Sequence, residues 1–249
     1  FDYLYDKSGL YDTLRSVVEK NVDDNGMPVD LWQSTMGITR SWQFLGDLQP
    51  YMLNFLENHD EQRLASDFIV GHGRPALPAM LVSATIDTCP TMVYFGQELG
   101  ERGMDAEGFS GRDGRTTIFD YWSVDTIRRW RNGGKFDGKQ LTKDEKKLQG
   151  FYSTLLNLCN KEKAIREGVF FDLTYANLEG VVFNEHKQYA FFRKAGKELI
   201  FIVVNFDDKP AAPCVKIPTH AFDYLGIPFK DSYKAKDLLT GNTETLILA

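Results

Sequence analysis

Three short apolar runs, FDYLYD (Phe1 to Asp6), YMLNFLENHD (Tyr51 to Asp60) and TMVYFGQE (Thr91 to Glu98), each end in acidic or amide residues. Their aromatic and β-branched composition predicts strands buried on both faces. Between them the polar and apolar positions recur at helical spacing. Leu10, Leu14, Val17 and Val18 form one stripe reaching about Asn21, and Pro75 and Pro78 open an apolar helix through Met80, Leu81 and Ile86. Strand, helix, strand, helix, strand predicts a parallel α/β sheet. A Gly- and charge-rich stretch then runs from Gly96 to Lys139, too long for an ordinary connector. Its aromatics argue for an ordered loop. Thr142-Lys143-Asp144-Glu145 reads as a capping box opening a helix with Leu148, Phe151, Leu155, Leu158 and Cys159 on one face.

From about Gly168 the period shortens to strands at Val181 to Phe183, Gln188 to Lys194, Glu198 to Phe206, Val215 to Ile217 and Thr245 to Leu248, with a hairpin signal at Ala195-Gly196-Lys197. The expected division is an α/β part over 1–166 and a small antiparallel β domain over 167–249, packed directly on each other without a Pro-rich linker. Three parallel units leave open sheet edges and an incomplete core, so the simplest completion is a (β/α)8 barrel of which these are the last three strands, followed by a β-sandwich. Open edges of that kind predict pairing between chains.

Composition narrows the partners. The 249 residues carry 29 Lys plus Arg against 35 Asp plus Glu, a net charge of −6, with no basic block to follow a phosphate backbone; nucleic acid is not an expected partner. Cys89, Cys159 and Cys214 are odd in number and lack C-x-x-C spacing, so neither a disulfide framework nor a zinc site is expected. His72, His186 and His220 read as loop or surface histidines. The longest strong apolar run, Leu199 to Phe206, falls short of the roughly 18 residues of a membrane helix. The opening inside a strand-like segment, with neither Met nor a signal-type sequence, reads as a cut.

The chemistry concentrates at Glu57-Asn58-His59-Asp60. In a barrel, strand ends of this kind carry the catalytic groups. The competing reading makes Asn58 and Asp60 caps of a following helix and His59 a satisfied, half-buried side chain. Glu98, ending the third run, is a further carboxylate to pair with Asp60 across the sheet, and Tyr94, Phe109, Tyr121, Trp122 and Trp130 read either as core or loop anchors or as a flat stacking platform for a ring. Glu101, Asp105 and Asp113 read as solvated loop charge. Gly108-Phe109-Ser110-Gly111 and Gly134-Lys135-Phe136 match neither a nucleophile elbow nor a phosphate loop.

Phe55-Leu56-Glu57-Asn58-His59-Asp60 resembles the F-x-x-N-H-D motif ending the seventh barrel strand of the alpha-amylase family of retaining glycoside hydrolases. FDYLYDKSGLYDTLR resembles that family's sixth strand and helix, TMVYFGQELGE its eighth strand and turn, and DGRTTIFDYW the segment that follows in bacterial members. The resemblance implies that Asp60 is the third catalytic carboxylate, holding the 2- and 3-hydroxyls of the distorted sugar; His59 bonds the same sugar, while Asn58 and Glu98 support the loops at the substrate site, and Tyr94 is a further substrate-binding candidate by its aromatic face. Hydrogen bonds that tighten as the ring flattens lower the barrier by about several kcal/mol. The family's nucleophile and acid come from a G-x-R-x-D motif and a strand-ending Glu, neither of which occurs here; Gly111-Arg112-Asp113 has the wrong spacing. The expectation is therefore a hydrolase portion acting on α-glucans that is inactive alone, the alternative being a non-catalytic α-glucan-binding or structural module. An unrelated phosphate-handling α/β enzyme is disfavoured by the lack of a Gly-rich phosphate turn after a strand. No cofactor is visible, although the resemblance implies calcium in a full-length enzyme and a secreted, periplasmic or cell-surface location.

Overall fold

A computed structural model describes residues 2–105, 112–119, 123–178 and 182–247. The three apolar runs form a parallel sheet in the order β1 (Leu4–Tyr5), β2 (Met52–Phe55), β3 (Thr91–Met92), with Leu4 opposite Met52 and Phe55 opposite Met92. The ladders are shorter than the runs. Burial also differs from expectation: β2, with a neighbour on each side, buries Met52, Asn54 and Phe55, whereas β1 has one partner and leaves Leu4 and Tyr5 about half exposed.

Helix α1 (Asp12–Glu19) buries Leu14 and Val18, and Lys20 ends it in the left-handed region at φ 54. Helix α2 (Ile38–Leu45) lies in a segment whose pattern was not read as helical. A 3-10 turn over Arg74–Ala76 feeds α3 (Leu77–Thr85), with Pro78 in its first turn where no main-chain donor is lost. The long loop contains α4 (Asp125–Arg131). Helix α5 (Lys143–Lys161) starts with the expected capping box: Thr142 Oγ1 accepts from Glu145 N at 3.2 Å and Glu145 Oε2 accepts from Thr142 N at 2.7 Å. A short α6 (Lys163–Glu167) leads into the β-rich part.

There β4 (Val169–Asp172), β5 (Gln188–Ala195) and β6 (Glu198–Asn205) make an antiparallel sheet, β5 and β6 joined through Gly196-Lys197 with Gly196 at φ 55. Beyond α7 (Thr219–Leu225), β7 (Ser232–Lys236) and β8 (Thr243–Ile247) form a separate hairpin. Two expected strands are corrected. Val181 lies outside the described residues and Val182–Phe183 carry no strand; 215–217 is irregular because Asn177 takes the place of a neighbouring strand, its amide accepting from Lys216 N at 2.6 Å and donating to Lys216 O at 2.9 Å. The sequence pattern missed β4 and β7.

One core joins the two parts. Leu14, Met80 and Leu155 pack with Tyr189, Phe191, Ile202 and Val204 of β5 and β6. The other face of that sheet buries Ala190 and Phe192 against Leu173, Phe183 and Leu225. Among the described residues the hairpin β7–β8 contributes no side chain to either cluster. Arg193 of β5 is fully buried and donates to Ile86 O at 2.7 Å, Ile165 O at 2.8 Å and Ala164 O at 3.2 Å. Three main-chain carbonyls from α3 and α6 thus meet one guanidinium. Among the described residues no helix is long and apolar enough to cross a membrane.

Candidate functional site at the end of the second strand

After Phe55 the chain leaves the sheet through a turn whose base is buried and whose tip is exposed. At the base, Glu57 Oε2 accepts from Arg63 Nη1 at 2.7 Å, both side chains almost wholly buried, and Glu57 Oε1 accepts from Leu64 N at 2.9 Å. Arg63 also donates to Phe95 O at 2.9 Å and to Thr116 Oγ1 at 2.6 Å, and its guanidinium lies 4.3 Å from the Tyr94 ring centre. One side chain therefore ties the ends of β2 and β3 to the 112–119 loop. Burial pushes the Glu57 carboxyl up, with the Arg63 charge acting against it.

At the tip, Asn58 Oδ1 accepts from Asp60 N and Glu61 N, each at 2.9 Å. This caps a turn and no helix: the next helical turn starts at Arg74. The expectation that Asn58 and Asp60 cap a following helix is corrected: Asn58 organises the turn's own backbone, and among the described residues the Asp60 side chain accepts from no main-chain N–H. Glu61 accepts from Tyr11 Oη at 3.0 Å and Arg15 Nη1 at 3.3 Å, while Arg115 Nε donates to Asp60 O at 2.7 Å. With the main chain held from both sides, His59 and Asp60 present side chains that are 43% and 68% exposed, His59 Nε2 lying 3.2 Å from Asp60 Oδ2.

His59 and Tyr94 line the same open depression, about 610 Å³, with Phe95, Ile118, Ile127 and Trp130. Trp130 stands edge-on to Phe136 at 5.0 Å. The structure therefore brings His59, Tyr94 and Trp130 of the sequence candidates to one depression, with Asn58 and Asp60 on the turn that carries His59 but not among the lining residues, whereas Phe109, Tyr121 and Trp122 lie outside the described residues. Glu98 is corrected in position. It lies in a 3-10 turn, Gln97–Leu99, several residues beyond the end of β3, and is not among the residues lining the depression. Burial pushes its carboxyl up.

Glu101 is also corrected. It is buried and accepts from Gly103 N at 2.8 Å and from the Thr126 hydroxyl, pinning the loop to α4. Asp113 is half-buried and caps Arg115 N at 3.0 Å, while Asp105 is exposed as expected. Residues that sequence reasoning missed are Arg63, Arg115 and Thr116. Nothing in their local pattern separates them from surface polar residues, because the bonds that join segments, Arg63 to Phe95 and Thr116 and Arg115 to Asp60, span 32 to 55 positions, and Arg63–Glu57 falls off any helical or strand period. Among the described residues no three His, Cys, Asp or Glu side chains gather as a metal-ligand set.

Comparison with solved structures decides the kind of fold. The chain aligns over 100% of its length with a noncanonic maltogenic alpha-amylase, AmyB, of Thermotoga neapolitana (TM-score 0.58, 15% identity, 46% of that chain). It aligns over 96% with an Anoxybacillus alpha-amylase (TM-score 0.58, 16% identity, 43% of that chain) and over 99% with AmyP solved in complex with maltose (TM-score 0.54, 18% identity, 46% of that chain). The fold is that of alpha-amylase structures. The amylase-like resemblance read from Phe55 to Asp60 thus has a three-dimensional counterpart, and the chain spans less than half the length of these amylases. No protein-family model and no curated protein sequence matches the chain.

Proposed function

We propose that this chain is the C-terminal portion of an alpha-amylase-like retaining glycoside hydrolase acting on α-glucans, comprising barrel strands six to eight over 1–166 and a β domain over 167–249. The observation that carries this reading is the His59–Asp60 pair, 3.2 Å apart, presented from a rigid turn beside Tyr94 in an amylase-like fold. AmyP, of like fold, is described in complex with maltose. An ionised Asp60 accepts two vicinal hydroxyls of a pyranose, and His59 adds a third hydrogen bond to the same ring; contacts that shorten as the ring flattens favour an oxocarbenium-like state. Tyr94, Phe95 and Trp130 offer flat apolar faces to the ring beside it. Asn58 and Glu98 hold the surrounding turns.

Retention also needs a nucleophile and an acid about 5 Å apart. Glu57 is committed to Arg63 and Leu64 N, and Glu61 to Tyr11 and Arg15, so neither is available for that work. The two carboxylates are assigned to polypeptide other than this chain, and the half-exposed edge strand β1 is where chains or segments would pair. The test is reducing-sugar release from soluble starch by the purified chain beside its Asp60→Ala variant. Neither releasing sugar is the expected result; release by the first and not by the second would overturn the assignment of the missing groups.

A further inference from the structure

A second cavity, about 270 Å³ and distinct from the His59 depression, lies where the C-terminal end of α1 meets the loops at the ends of β5 and β6. Its floor is apolar: Val17, Val22, Pro28 and the half-buried ring of Phe206. Its rim carries two ion pairs, Lys187–Asp207 at 3.0 Å and Lys20–Asp208, with Asn21 and Gln33 beside them. The walls are preformed by main-chain bonds. Asn21 N donates to Ser16 O at 3.1 Å, Val22 bridges to Pro28, Asp23 N donates to Met27 O at 2.8 Å, and Phe206 N donates to Lys187 O at 2.8 Å.

From this geometry we infer a second ligand site, for a neutral polyhydroxylated ring of about one sugar unit. Three features select that chemistry. The volume, about 270 Å³, falls just below the roughly 300 Å³ at which ligand cavities usually begin, which limits the occupant to about one ring. An apolar floor with an aromatic ring accepts the flat face of a pyranose. Lastly, two lysines face two aspartates, so the rim has no net charge: a charged ligand would have to break an existing pair, whereas hydroxyls can use the remaining N–H groups and lone pairs. His186 lines the same cavity, and its buried Nδ1 has no hydrogen-bond partner among the described residues. Occupancy would bridge α1 to the β5–β6 sheet and stabilise their packing. The site does not depend on the role given to Asp60.

The test is a nuclear magnetic resonance titration of the whole chain with maltose and, separately, with inorganic phosphate. The expected result is saturable shifts from maltose at the amides of Lys20 to Val22, Lys187 and Asp207, retained in Asp60→Ala. Val17→Trp, which fills the floor, and Asp207→Ala, which removes an acceptor at the rim, should each weaken those shifts at least tenfold; the second variant stands if the first fails to fold. Absence of saturable shifts at these amides overturns the site, as does phosphate moving them at lower concentration than maltose. Shifts confined to residues 58–60 would overturn this site and leave the reading of Asp60 intact; shifts confined to the junction would do the reverse.

Discussion

Among the described residues two arginines are buried, and they solve the same problem differently. Arg63, at the candidate site, has a full carboxylate partner in Glu57 and a ring face in Tyr94. Arg193, at the junction of the two parts, donates to three main-chain carbonyls, and burial lowers its pKa to about 10 despite the more distant Asp87 carboxylate. A paired charge fixes direction as well as distance, which suits a turn that must present two side chains in one geometry. Dipoles spread over α3 and α6 tie segments together without specifying a single partner.

The sharpest way to break the comparison is Arg63→Ala. It leaves Glu57 buried and unpaired, a loss of about 3 to 5 kcal/mol by denaturant unfolding. The double variant Glu57→Gln, Arg63→Met should cost clearly less than the sum of the two single changes, and additivity would sink the idea that the pair is one unit. Arg193→Met removes the donor to three buried carbonyls and is expected to cost about 2 to 4 kcal/mol. A cost equal to that of Arg63→Ala would erase the distinction between carboxylate and carbonyl partners.

Smaller effects sharpen the picture. Glu145→Ala removes half of the α5 capping box and the bond from Arg129 Nε at 3.1 Å, for about 1 kcal/mol. Burial opposes ionisation of Glu145, but hydrogen bonds from Arg129 and Thr142 N outweigh it, so its pKa is held below the ordinary 4.5. The folded state therefore binds this proton less readily than the unfolded one: the contribution is complete above about pH 4.5 and is lost as pH falls through the lower folded value. Stability measured against pH should flatten in that acid range in Glu145→Ala. Smallest for stability is Asp60→Ala, within about 0.5 kcal/mol because the side chain is largely exposed. The same change should abolish maltose-induced shifts at residues 58–60; retention of those shifts would remove Asp60 from the binding role.

The cluster at 57–60 was legible because a strand-like run stops at four hydrogen-bonding residues, and because that order of residues resembles a known motif. The capping box at Thr142 and the hairpin at Gly196 were legible for a related reason: each is a short-range rule satisfied within a few residues. Glu101 was misjudged since its partners, Gly103 N and Thr126, depend on how the loop folds back on α4. Strand 215–217 failed because Asn177, nearly forty residues away, occupies its hydrogen bonds.

By itself, then, the sequence determined the order of the first three strands, α1, α3 and α5, the antiparallel change of period after Gly168, and where polar residues gather at a strand end, since these follow from local periodicity and side-chain type. Only the tertiary structure decided that Glu57 is a buried anchor while the His59–Asp60 pair is exposed at the tip, that Arg63 joins three segments, and that β1 stays half exposed. Those outcomes depend on contacts between distant residues, and neither burial nor the partner of a charge is encoded at a single position.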